Sequence, residues 1–117
     1  MGDRANIQVK DSYDRTDGIF LYTHWEGTNL PTILQDALIR GRERWGDTAY
    51  LTRIIFCQMI KNDVFGLTGY GISDEVQDGG DRTLVVDTNT QTVFNSSSGL
   101  SFDFEEYCCL DINSLRW

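Results

Sequence analysis

Histidine is nearly absent from this chain. His24 stands alone among 117 residues, beside three cysteines, one proline and ten basic residues against eighteen acidic ones. Each shortage excludes something. A structural zinc site takes four ligands, usually with a pair of cysteines two to four residues apart. Cys57, Cys108 and Cys109 have the wrong spacing, and one histidine does not complete the set. An odd cysteine count with two neighbours in sequence does not make a secreted disulfide framework either. Free thiols, buried or half-buried, are expected. No apolar run approaches the roughly 18 residues of a membrane-spanning helix. The opening Met1-Gly2-Asp3-Arg4 lacks the charged-then-apolar order of a signal peptide, and Asn6 stands where a myristoylation pattern has Ser or Thr. A cytoplasmic location with no membrane partner is expected.

Enzyme signatures are missing too. There is no G-x-S-x-G, H-E-x-x-H or P-loop pattern. Gly69 and Gly71 around Tyr70 lack the third glycine and following helix of a dinucleotide fingerprint, so they read as a bend or bulge. No cofactor and no metal is expected.

Basic residues are scarcest in the second half. Residues 1–61 carry eight basic and eight acidic groups, which cancel, whereas residues 62–117 carry Arg82 and Arg116 against ten carboxylates. The whole net charge of −8 therefore lies C-terminal. Direct nucleic-acid binding requires a concentrated basic face, which such a chain lacks. A one-signed surface instead steers a basic protein toward it, or simply keeps the chain in solution.

What is abundant is core material: 40% of the residues are hydrophobic, including three Trp, five Tyr and six Phe. That suffices for one domain. Ala5, Ile7 and Val9 alternate with polar neighbours as a strand, Asp11–Gly18 supplies a turn, and Ile19–Trp25 forms the second strand of a hairpin. Thr28 or Asn29 caps a helix with Pro31 in its first turn, and Leu30, Ile33, Leu34, Ala37 and Leu38 follow helical spacing up to Gly41. Asp47 caps a second helix through Ile60, apolar on most of its circumference and so expected to be largely buried. Tyr70 and Ile72 mark a third strand. Thr83–Val86 and Thr92–Phe94 flank Asp87-Thr88-Asn89-Thr90 as a hairpin. Leu100, Phe102 and Phe104 alternate as a sixth strand or an appended arm. The expected fold is α+β, with an antiparallel sheet of about five or six strands against two helices in the order ββααβββ. Residues 1–94 form the domain and 95–117 a C-terminal extension with one added strand.

Several blocks carry a resemblance. Gly2-Asp3-Arg4-Ala5-Asn6, Tyr22-Thr23-His24-Trp25 with Gly27, Leu30 and Pro31, and Arg40-Gly41-Arg42 with Arg44-Trp45 are three of them. Tyr50-Leu51 with Arg53-Ile54-Ile55-Phe56, Thr68-Gly69-Tyr70-Gly71-Ile72, and Val86-Asp87-Thr88 before Thr92-Val93 are the others. Across roughly residues 1–94 the chain resembles a family of small uncharacterised proteins of bacteria and their phages. The ending from Asn95 does not look like that family's. The resemblance implies a phage-associated setting and carries no catalytic assignment.

Three groups of residues are candidates for chemistry. His24 is a weak catalytic candidate, since an imidazole titrates near neutrality but no companion nucleophile can be placed from sequence. With Trp25, Arg40, Arg44 and Tyr70 it outlines a pocket for a small nucleotide-like ligand, bound or hydrolysed, in which rings stack a base and guanidinium groups hold phosphate. Alternatively these residues pack the core and pair with the chain's own carboxylates. Asp74, Glu75, Asp78 and Asp81 crowd an acidic loop whose spacing is not that of a calcium-binding loop. With Asp103, Glu105 and Glu106 they are the expected contact surface for a basic partner. The leading expectation is thus an acidic, phage-associated, non-enzymatic protein that docks on a basic host protein, inhibiting nucleic-acid-handling or defence machinery. A homodimer through strand 100–104, an apolar edge, is a further expectation.

Overall fold

The computed structural model describes residues 2–11 and 18–117. The turn expected over Asp11–Gly18 falls, apart from its two ends, outside the described residues. Among the described residues the order is β1 (Ala5–Lys10), β2 (Ile19–Thr23), α1 (Leu30–Arg40), α2 (Thr48–Ile60), β3 (Tyr70–Ser73), β4 (Thr83–Asp87), β5 (Thr92–Asn95), β6 (Ser101–Asp103) and α3 (Phe104–Cys109). Single 3-10 turns lie at Arg42–Arg44 and Ile112–Ser114.

The fold is α+β, with two corrections to the expected arrangement. All six strands join one sheet in the order β3-β2-β1-β4-β5-β6. Its neighbours are antiparallel except at the centre, where β1 and β4 run parallel with Asn6 opposite Thr83 and Lys10 opposite Asp87. The sheet is therefore mixed. A third helix closes the chain, so ββααβββ becomes ββααββββα. Pairing between segments nearly eighty residues apart leaves no trace in local alternation, which is why the central junction was not expected to be parallel.

Strand periodicity decides the two faces. Ala5, Ile7 and Val9, with Leu21, Leu84, Val86 and Val93, point to the helical side. There they meet Leu30, Leu34, Ala37 and Leu38 of α1, Leu51, Ile55 and Met59 of α2, and Phe104 and Tyr107 of α3. The helices start where the capping residues indicate: Pro31 lies in the first turn of α1, and the Asp47 carboxylate accepts from the Tyr50 N–H at 3.1 Å. Helix α2 buries only Leu51, Ile55, Gln58 and Met59, while Tyr50 and Cys57 are exposed. It lies in an outer layer with one face to the core, so its apolar circumference is half solvated. Of the thiols, Cys108 alone is half-buried; Cys109, like Cys57, is exposed.

The residues after Asn95 contribute to the same core. Phe104 is 1% exposed and meets Trp45 edge-on, ring centres 5.3 Å apart. The Tyr107 hydroxyl donates to the Pro31 carbonyl at 2.7 Å. The Gln35 side-chain amide donates to the carbonyls of Tyr107 and Leu110 at 3.1 and 2.8 Å. Asp103 and Glu106 form a reciprocal capping box at the start of α3.

One connection shapes the other face. β3 and β4 point the same way but lie three places apart, so residues 74–82 cross the sheet on the side away from the helices. Asn6, wholly buried on that side, meets the crossing segment: its amide donates to the carbonyls of Gln77 and Asp78 at 3.2 and 3.3 Å, and its Oδ1 accepts from the Gln77 N–H at 3.2 Å.

Candidate functional site

At the end of β2 the chain lays down a row of rings. Tyr22 and His24, alternate residues, share the face away from the helices, and Trp25 turns off the strand end. Tyr22 and His24 lie 6.4 Å apart centre to centre, His24 and Trp25 6.0 Å, and Trp25 and Tyr70 6.1 Å, the last two pairs nearly perpendicular. Edge-on contacts of this kind are the favourable arrangement for aromatic pairs. Gly69, at φ +97°, runs beneath the Trp25 ring, where a Cβ would come within 2.2 Å of it.

The His24 ring is held on one nitrogen. Arg4 Nε donates to Nδ1 at 3.2 Å, and the Tyr22 hydroxyl is 3.0 Å from the same atom. A guanidinium N–H only donates, so Nδ1 is the accepting nitrogen and Nε2 carries the proton. Nε2 faces Gly2, where an added Cβ would approach to 2.6 Å. Among the described residues no carboxylate is hydrogen-bonded to the ring.

The structure brings His24, Trp25 and Tyr70 together and leaves Arg40 and Arg44 elsewhere. His24 sits where β1 begins, its carbonyl accepting from the Asp3 N–H at 2.6 Å. Helix α1 then carries the chain about 16 Å away at 1.5 Å per residue. Arg40 is exposed at its far end. Arg44 lies 4.0 Å from Asp47 and stacks over the Tyr50 ring at 4.6 Å. Neighbouring Arg42 binds Glu105 at 2.7 Å, which raises its already high pKa, and covers Trp45. A cleft of about 560 Å³ lies beside the start of α1, lined in part by Thr28, Arg82, Arg116 and Trp117, and His24 is not among its walls. Arg82 is already held there by Asp3 at 2.9 Å.

The seven acidic candidates divide into two groups. Asp103, Glu105 and Glu106 sit at the β6–α3 junction, at one edge of the sheet; two of them cap α3 and the third holds Arg42. Asp74, Glu75, Asp78 and Asp81 ride the crossing segment. All four are exposed, and only Asp78 has an ion pair among the described residues, with Arg4 at 3.8 Å. Tyr70, at the other end of β3, is also in an acidic setting: partial burial, then the carboxylates of Glu26 and Asp63, push its phenol pKa up. Among the described residues no group of three or more His, Cys, Asp and Glu is placed to hold a metal ion.

Sequence reasoning passed over the segment between α2 and β3. In Asp63-Val64-Phe65-Gly66-Leu67, Phe65 is 93% exposed and Leu67 99%. Three large apolar residues in a stretch otherwise made of Asp, Gly and Thr were the available signal.

No protein-family model, curated protein or solved structure matches the chain. None of the helices among the described residues is long and apolar enough to cross a membrane.

Proposed function

We propose that this protein is an acidic binding protein that docks on a basic protein partner. The observation that carries the reading is the crossing segment. Asp74, Glu75 and Asp81 are exposed and take part in none of the ion pairs among the described residues. Carboxylates left without an ion-pair partner present a field that a complementary surface feels before contact. Buried Asn6 ties the segment to the central strand through hydrogen bonds with Gln77 and Asp78. The phage-associated setting, and with it a host nucleic-acid-handling or defence protein as the target of inhibition, rests on the resemblance of the sequence blocks alone.

Affinity capture from a bacterial host lysate, at low and at high salt, tests the reading. A basic protein retained at low salt should be lost at high salt, and lost at low salt by a variant with Asp74, Asp78 and Asp81 changed to Asn and Glu75 to Gln. Retention indifferent to both changes, or none in either buffer, overturns it.

A further inference from the structure

The unpaired side of β3 offers a second, more specific feature. β3 is an end strand of the sheet, and among the described residues no strand lies along its outer side. Its register with β2 decides which of its backbone groups are free. The His24 N–H donates to the Gly69 carbonyl at 2.8 Å, one step beyond the Thr23–Tyr70 pair. In an antiparallel ladder, bonded and non-bonded pairs alternate. Gly71 and Ser73 therefore bond to β2, and the backbone N–H and C=O groups of Tyr70 and Ile72 point outward.

Such an edge is normally protected by a charge, a proline or a bulge. The strand itself, Tyr70-Gly71-Ile72-Ser73, carries no charge and no proline. The Ile72 side chain is 61% exposed. Phe65 and Leu67, almost fully exposed, immediately precede the strand in the chain, and Trp25 is half exposed beside Gly69. An exposed apolar residue on a free strand edge, with exposed apolar residues shortly before it in the chain, supplies the components of peptide recognition by strand addition, in which the backbone supplies affinity and alternate side chains specificity.

Charge selects the occupant. Glu26 and Asp63 act on Tyr70 at one end of the strand, and Asp74 and Glu75 follow it at the other, with Lys61 the one cation in residues 61–76. A second copy pairing edge to edge would set these carboxylates against themselves, and like charges across an interface oppose association. We propose that the β3 edge, with Phe65 and Leu67, receives an extended segment of the partner in which Lys or Arg alternates with apolar residues. This rests on the basic-partner reading above and names where and how it binds.

The test uses the full chain and a bead library of random peptides about twelve residues long, a length sufficient to span such an edge. Selected peptides should alternate basic and apolar residues. On binding the best of them, the amides of Tyr70 and Ile72 should gain protection from hydrogen exchange, while Gly71 and Ser73, already bonded, change little. Affinity should fall at least about tenfold in Phe65→Ser/Leu67→Ser, a loss ordinary for exposed apolar anchors at an interface. It should also fall in Ile72→Pro, which removes an outward N–H. The serine variant alters only solvent-exposed side chains, so it stays informative if the proline disturbs the strand. Basic peptides that bind without protecting Tyr70 and Ile72, or indifferently to Phe65 and Leu67, overturn this site and leave the basic-partner reading standing. Selected peptides without basic excess overturn both. No selected peptide, or a dimer in sedimentation that Phe65→Ser/Leu67→Ser dissolves, overturns the site.

Discussion

Asn6 and Gln77 bond each other twice: the Asn6 amide donates to the Gln77 carbonyl at 3.2 Å, and Asn6 Oδ1 accepts the Gln77 N–H at 3.2 Å. A side-chain amide thus stands in for a strand neighbour, and through it the acidic crossing segment is carried by the central strand. Asn6→Ala should cost about 1 kcal/mol, the ordinary loss of hydrogen bonds to a part-buried backbone donor and acceptor. Urea unfolding checks the loss, and faster amide exchange at Gln77 locates it. If stability holds and only the Gln77 exchange rate rises, the segment is attached without supporting the core.

Asp3 should make stability depend on pH in the acid range. Partial burial alone would raise its carboxyl pKa, but the Thr28 N–H at 2.8 Å and the Arg82 guanidinium at 2.9 Å outweigh that and hold it below the usual value. A carboxyl lowered in the folded state adds stability above its unfolded pKa of about 3.9, lost as the pH falls through the folded value. Asp3→Asn should therefore destabilise by about 1 kcal/mol at neutral pH, a figure kept small because the group is part-exposed. The gap from the parent should shrink below about pH 4. Denaturant midpoints across pH 2–7 measure both.

Phe104→Ala should cost about 3–5 kcal/mol, as for any large ring removed from a closed core. Tyr107→Phe, which leaves the Pro31 carbonyl without its donor, should cost about 1–2 kcal/mol. Thermal or chemical unfolding decides it. Losses near zero would mean that the chain beyond β6 does not support the domain.

Gly69→Ala meets two obstacles, a φ of +97° and the Trp25 ring. A loss of about 1–3 kcal/mol is expected from the backbone conformation alone. Because the ring must shift, the Trp25 indole N–H resonance should move with it.

Much of the architecture was legible. The spacing of Leu30, Ile33, Leu34, Ala37 and Leu38, Pro31 in a first turn and the cap at Asp47 are local signals, and both helices lie where they indicate, with Asn29 at the N-cap of α1 but making no side-chain bond there. The hairpin around Asp87-Thr88-Asn89-Thr90 has its strands at Thr83–Asp87 and Thr92–Asn95. Even the missed third helix had a signal in Asp103-Phe104-Glu105-Glu106, a capping box read as the tail of a strand because Phe102 and Phe104 alternate. The five residues proposed as a pocket show the limit. His24, Trp25 and Tyr70 meet because β2 and β3 are neighbours, while Arg40 and Arg44 lie a helix-length away.

By itself, then, the sequence determined the six strands and the first two helices, the apolar face of β1 and of α1, and the confinement of the −8 charge to residues 62–117, because these depend on neighbours a few positions apart or on composition. Only the tertiary structure decided the parallel contact of β1 with β4, the place of β3 at the end of the sheet among the described residues, and the pairing of Glu105 with Arg42. The reason is distance along the chain: these contacts join residues dozens of positions apart, where they are set by the joint packing of every element and leave no periodic mark.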